Sequence, residues 1–220
     1  MSLRETEPPG DPAGEAPPED NETAQWAWQS FDQSPRRWHQ ALRHAQPSGG
    51  GYMRSETYLL TRHSTNLVKL RQDRVDVKRL MATEPSGMEA WATVRRLPLP
   101  LSPPVIAELC TGWQCDPPRP CPTIRTVDDF HAFLAQQLPE VRVLPARSWR
   151  REYRLLECQA ERRTILVGGN VLELLAIRHP DLATLRTTLH ALDLGKGPTT
   201  SVLTALRQLL GWPADRNRPG

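Results

Sequence analysis

Lysine and arginine recur at alternate positions along several short runs of this 220-residue chain. Lys69 and Arg71 sit two apart, and so do Asp76 and Lys78. Arg96 follows Val94 by two, with Thr93 and Arg95 on the other parity, while Arg150, Glu152 and Arg154 alternate in their own run. In extended chain a period of two places such residues on one face. Like charges gathered on one face and enclosed would repel and be costly to desolvate. An anion would offset both costs. Phosphate suits these side chains, since lysine supplies a point charge and arginine a bidentate fork. A basic strand face turned to water needs no ligand, and the pattern alone leaves both arrangements open.

Other chemistries find little support. Gly168-Gly169 is too short to cradle a phosphate and reads as a hairpin turn. The six histidines (39, 44, 63, 131, 179 and 190) are scattered. Ser201 lacks the context of a nucleophile elbow. Cys110, Cys115 and Cys121 do not have common zinc spacings, so they read as a reduced, Pro-rich connector. Cys158 reads as a small buried hydrophobe.

The elements that would position the cations are short and β-rich. Gln25–Phe31, Ser55–Leu60, Leu67–Arg71, Val75–Met81 and Glu89–Leu97 alternate as strands, with Gln72-Asp73-Arg74 turning a hairpin. Val141–Leu144, Trp149–Leu156, Arg163–Val167 and Val171–Ile177 follow. Helices are expected after Ser34-Pro35, from Val105, after Thr126 with Asp129 completing a capping box, after Pro180, and from about Thr200 to Leu210. Val202, Leu206 and Leu209 would form the stripe of the last helix. Short connections favour antiparallel pairing. The expected fold is α+β, an antiparallel barrel flanked by helices.

Charge is unevenly distributed. The chain carries 28 bases and 25 acids. Residues 1–22 hold one base and seven acids, leaving the remainder at net +9. That segment is almost devoid of apolar residues and reads as a disordered tail. The expected domain spans residues 23–213, with a disordered end at 214–220. A basic body points to anionic partners. No run approaches the ~20 apolar residues of a membrane span, and the N-terminus has no signal-peptide core, so the expected location is the cytoplasm.

In order and spacing, Glu56 to Leu60, Asn66 to Arg71, Asp76 to Leu80 and Glu89 to Arg96 resemble the successive strands of CYTH-domain proteins. These form the triphosphate tunnel fold of inorganic triphosphatases, thiamine-triphosphatases and one class of adenylate cyclases. The resemblance continues through Arg150–Arg154, Cys158–Glu161 and Ala176–Leu182. It implies an eight-stranded tunnel in which Lys69, Arg71, Lys78, Arg96, Arg150 and Arg154 grip phosphate. It also implies glutamates holding a divalent metal, for which Glu161 is the matching candidate. The family's opening Glu-x-Glu-x-Lys falls on Gln25-Trp26-Ala27-Trp28-Gln29, so both glutamates and the base are missing. A later family glutamate falls on Arg178. Mg2+ or Mn2+ favours carboxylate oxygens, so the expectation is that no metal is held, with either ion as the alternative.

The leading expectation is therefore a protein that binds a phosphate-rich anion (a triphosphate, nucleotide or polyphosphate) with lost or weakened triphosphatase activity. One alternative is an active metal-dependent triphosphatase using Glu161 with Glu56, Asp76 or Glu89. Another is a nucleic-acid-binding or scaffold protein with a basic exterior. The acidic tail could also fold back onto a cationic cavity. No membrane partner is expected.

Overall fold

The computed structural model describes residues 23–31, 36–43, 45–195 and 199–212. The expected tail (1–22) and C-terminal end (214–220) lie outside them, as do Ser34 and Pro35. Nine strands and five helices follow in the order β1 (Gln25–Ser30), α1 (Arg36–Leu42), β2 (Gln46–Pro47), β3 (Tyr52–Leu60), β4 (Asn66–Arg71), β5 (Arg74–Thr83), β6 (Glu89–Pro98), α2 (Pro103–Trp113), α3 (Val127–Gln137), β7 (Arg142–Leu155), β8 (Cys158–Val167), β9 (Asn170–His179), α4 (Leu182–Ala191) and α5 (Val202–Leu209). Eight strands close on themselves in the order β7-β3-β4-β5-β6-β1-β9-β8, with β8 pairing back to β7. Every pairing is antiparallel, and β2 is a ninth strand added to β7. The expected α+β barrel is present, with no unpaired edge around the ring.

The turns show why the chain reverses where it does. Gly168 and Gly169 both have positive φ, 55° and 76°, which a two-residue turn matched to strand twist requires. Gln72 takes the same region, φ 49°, between β4 and β5. One expectation is corrected. Val141–Leu144 and Trp149–Leu156 are parts of one 14-residue strand, β7. Pro145 sits within it, where β7 pairs with β3 and the β8 pairing has not yet begun. A proline is tolerated where one side of the strand is unpaired.

Helices cover the outside. α2 and α3 bury Ile106, Leu109, Trp113, Phe130 and Leu134 against the outward face of β3, β4 and β5, including Leu59, Val68 and Val75. The α3 capping box forms in full: the Asp129 amide donates to Thr126 Oγ1 at 3.1 Å, and the Thr126 amide donates to Asp129 Oδ2 at 3.0 Å. α1 and α4 cover β1, β8 and β9 through Trp38, Leu185 and Leu189 against Trp28 and Ile177. Each such side chain contributes roughly 1.5–3 kcal/mol on burial.

α5 packs differently. Its Val202, Leu203 and Leu206 join Leu60, Leu67, Ala146, Ile165, Val167, Leu174 and Ala176 in a third core. Those strand residues share a face with the barrel's interior side chains, so α5 closes over one half of the interior. Leu209, expected in the stripe, is instead 38% exposed. Among the described residues no helix is long and apolar enough to cross a membrane.

Candidate anion site

The inward residues of the other half are polar and charged. β4 presents Lys69 and Arg71, β7 Arg150, β8 Glu161 and Arg163, and β9 Arg178. Registers fix this: Tyr58 pairs with Lys69, Lys69 with Asp76, Arg150 with Arg163, and Gln159 with Arg178. Paired residues in antiparallel strands point to the same face.

Glu56 is the hub. Its carboxylate is fully buried, and Lys69 Nζ lies 3.5 Å away, Arg71 Nη2 3.1 Å, Arg150 Nη2 3.2 Å and Arg163 Nη1 3.6 Å. The Tyr58 hydroxyl also donates to Glu56 at 2.6 Å. Glu161 is the second anion. Arg163 approaches it at 2.5 Å, Arg178 at 3.1 Å and Arg150 at 3.7 Å. Asp76 takes Arg71 at 3.1 Å and Arg74 at 2.8 Å. Lys69 lies over the Tyr58 ring, 4.9 Å from its centroid, a cation–π contact.

Electrostatics follow the geometry. Burial alone would push the Glu56 carboxyl up, but Lys69, Arg150, Arg163 and Arg71 hold it well below the usual range. Glu161 is held low in the same way by Arg163, Arg150 and Arg178 against burial. Burial lowers Lys69 well below an ordinary lysine, although Glu56 pulls the other way. Burial raises Tyr58, as does Glu56 beside it.

These side chains surround a cavity of about 480 Å³. Its lining includes six cations: Lys69, Arg71, Lys78, Arg150, Arg163 and Arg178. Glu56, Glu161 and Asp76 pair with them, and Glu89 and Glu152 share the inner face opposite Ala27 and Glu161; none of these five carboxylates is in the lining, so positive charge is in excess there. The floor is the start of α5, with Ser201, Val202 and Leu203 in the lining. Gln29 accepts a hydrogen bond from the Val202 amide at 3.3 Å through its side-chain oxygen. Thr23 and Gln25 also line the cavity.

Four of the six expected phosphate ligands come together here: Lys69, Arg71, Lys78 and Arg150. Arg154 is exposed and Arg96 half-buried, and neither is in the lining. Arg96 still points inward, but for a reason the alternation conceals. A register shift between β5 and β6 pairs Lys78 with Thr93 and Asp76 with Arg96. Arg96 therefore shares a face with Thr93, while Val94 packs against the outer core. This reverses the expected parity across Val94.

Two features went unrecognised. Arg163 pairs with both Glu56 and Glu161, yet only its spacing two residues from Glu161 would have flagged it. Glu56, weighed as a metal ligand, is instead the internal counter-ion of the cations. So the interior charge is not left wholly for an outside anion to balance. Among the described residues no group of three or more histidines, cysteines or carboxylates is arranged to hold a metal ion. The four cysteines are free, and burial pushes the Cys115 thiol up to about 12, with Cys110 beside it adding to the shift.

No family model matches the chain, and no curated protein matches it in sequence. Solved structures do resemble it. A Bacillus halodurans protein provisionally named an adenylate cyclase is 12% identical, over 81% of this chain and 95% of that one, with a TM-score of 0.43. A Hippeastrum protein provisionally named an adenylyl cyclase, and described as having a dominant triphosphatase activity, is 10% identical over 89% and 100%, at 0.49. A Pyrococcus horikoshii OT3 protein is 11% identical over 83% and 98%, at 0.47. Likenesses this distant say nothing of the chemistry inside the barrel.

Proposed function

We propose that this chain binds a phosphate-rich anion, a triphosphate group free or on a larger molecule, inside the barrel. One observation carries the reading: six cations line an enclosed space, while the carboxylates that pair with them, Glu56, Glu161 and Asp76, stand outside its lining. The volume, about 480 Å³, falls within the ~300–1,000 Å³ of small-molecule sites. It is too small for a nucleic-acid duplex. Multiple arginines around one anion supply charge-assisted, bidentate bonds.

Metal-assisted turnover fits these residues poorly. β1 offers Gln25, Ala27 and Gln29 to the cavity and no carboxylate. Glu161, the candidate ligand, is ringed by three guanidiniums, and Glu56 by Lys69 and three guanidiniums. A divalent cation would have to displace those partners. The chain is thus read as a binder rather than a triphosphatase.

Thermal unfolding with and without tripolyphosphate tests this. A ligand of the folded state at 100 times its Kd adds about 2.7 kcal/mol, so the midpoint should rise. An unchanged midpoint at millimolar tripolyphosphate would remove the reading. The acidic segment before Thr23 joins the chain at the cavity, and its deletion (residues 1–22) should tighten tripolyphosphate binding. Unchanged affinity would show that the segment does not compete.

A further inference from the structure

Across the β1–β9 pair, Ala27 stands directly opposite Arg178, and both line the cavity. Arg178 reaches Glu161 at 3.1 Å. On β8, Glu161 is flanked by Gln159, whose register partner on β9 is again Arg178. One corner of the cavity therefore holds Glu161, a guanidinium tethered to it and the Ala27 methyl, with Glu89 opposite Ala27 on β6 bonded by the Trp91 indole and Glu152 opposite Glu161 on β7 bonded by the Tyr52 hydroxyl.

Resting on the anion-binding reading, we infer that Arg178 is a built-in cation, so that the site takes its anion without metal and Mg2+ opposes binding. A guanidinium supplies positive charge to phosphate oxygens as a divalent ion would, but it carries its own donors and needs no carboxylate cage. A chelated triphosphate, by contrast, arrives with part of its charge cancelled and with a hydrated dication attached. That dication would face Arg178, Arg163 and Arg150, with Glu161 already committed to all three. Repulsion and lost charge then act in the same direction.

The same geometry shows how the preference could be inverted. Ala27→Glu with Arg178→Glu would bring two new carboxylates to the corner that holds Glu161. Three oxygen-bearing acids there, with phosphate oxygens completing the shell, form a hard-cation site.

Calorimetric titration of tripolyphosphate into the full chain, once with EDTA and once with excess Mg2+, is the test. The native chain should bind in EDTA, and saturating Mg2+ should weaken binding by about tenfold or more, as expected for loss of charge-assisted contacts. The double variant should reverse the order, binding more tightly with Mg2+ than with EDTA. Chelation in solution weakens binding by native and variant alike, so the change of sign is what isolates Arg178. Binding by the native chain only when Mg2+ is present would overturn the inference while leaving anion binding intact. A folded double variant that still prefers EDTA would also overturn it. Absence of binding under both conditions would remove the anion-binding reading itself, and this inference with it. Should the double variant not fold, Arg178→Gln takes its place: its affinity for tripolyphosphate in EDTA should fall by about tenfold, and an unchanged affinity would overturn the inference.

Discussion

The two halves of the barrel interior are built by the same strands and held together by different forces. β8 passes from Glu161 and Arg163 to Ile165 and Val167, and β9 from Arg178 to Ala176 and Leu174. In the apolar half, α5 and the inner side chains fill space, and stability scales with the area removed from water. In the charged half, nothing is stable alone. Lys69, Arg71, Arg150 and Arg163 are tolerable because Glu56 lies among them. An apolar core loses stability side chain by side chain, whereas a buried ion network fails when its hub is removed.

Glu56→Gln should therefore do the most damage. Removing one partner of a buried charge network costs roughly 3–5 kcal/mol, and urea unfolding would measure it. The same variant should bind tripolyphosphate more tightly, because the cavity loses its central negative charge. A variant both less stable and weaker in binding would show that Glu56 shapes the site rather than opposing the ligand. In the apolar half, Leu206→Ala should cost about 3 kcal/mol through lost burial and the cavity left behind. Saturating tripolyphosphate should raise the stability of Glu56→Gln more than that of Leu206→Ala. Equal gains would erase the distinction between the halves.

A pH series sharpens the contrast. Glu56 and Glu161 are held well below the usual carboxylate range by the cations beside them, against the opposing effect of burial. A group lowered on folding contributes stability above its unfolded pKa, about 4.3 for glutamate, and loses it as pH falls through the folded value. Resistance to urea should thus decline as pH drops below about 5. Glu56→Gln should decline less steeply, since one of the two groups is gone. Parallel curves for native and variant would exclude Glu56 as a source of the dependence.

The smallest effect belongs to the exterior. Arg95 and Glu108 pair at 2.9 Å with both side chains about half exposed. Arg95→Ala should change stability by less than ~1 kcal/mol, and a loss comparable to Glu56→Gln would contradict the ranking.

Much of this was legible in the sequence because strand alternation needs no tertiary knowledge. Lys69 with Arg71, and Asp76 with Lys78, fall on the predicted faces, and the Gly168-Gly169 and Gln72-Asp73 turns are where the breakers place them. What was not legible depends on pairing between strands. Arg96 faces Asp76 only because β5 and β6 slip in register between Val77 and Lys78. Arg163 becomes central only because β8 pairs with β7 so that it meets Arg150, and only because Tyr58 and Glu56 lie across the interior. The span 142–155 reads as two strands because Pro145 is a breaker in isolation. Its tolerance depends on which neighbour is missing.

Lys78 offers the most direct measure of the central claim, since it lines the cavity but is only partly buried. Tripolyphosphate titrated calorimetrically into the full chain with EDTA present should show one saturable site. Lys78→Met should weaken that site by about tenfold, the scale of one charge-assisted contact. Heat indistinguishable from dilution, or a site that Lys78→Met leaves unchanged, would place any phosphate binding outside the barrel and contradict the account.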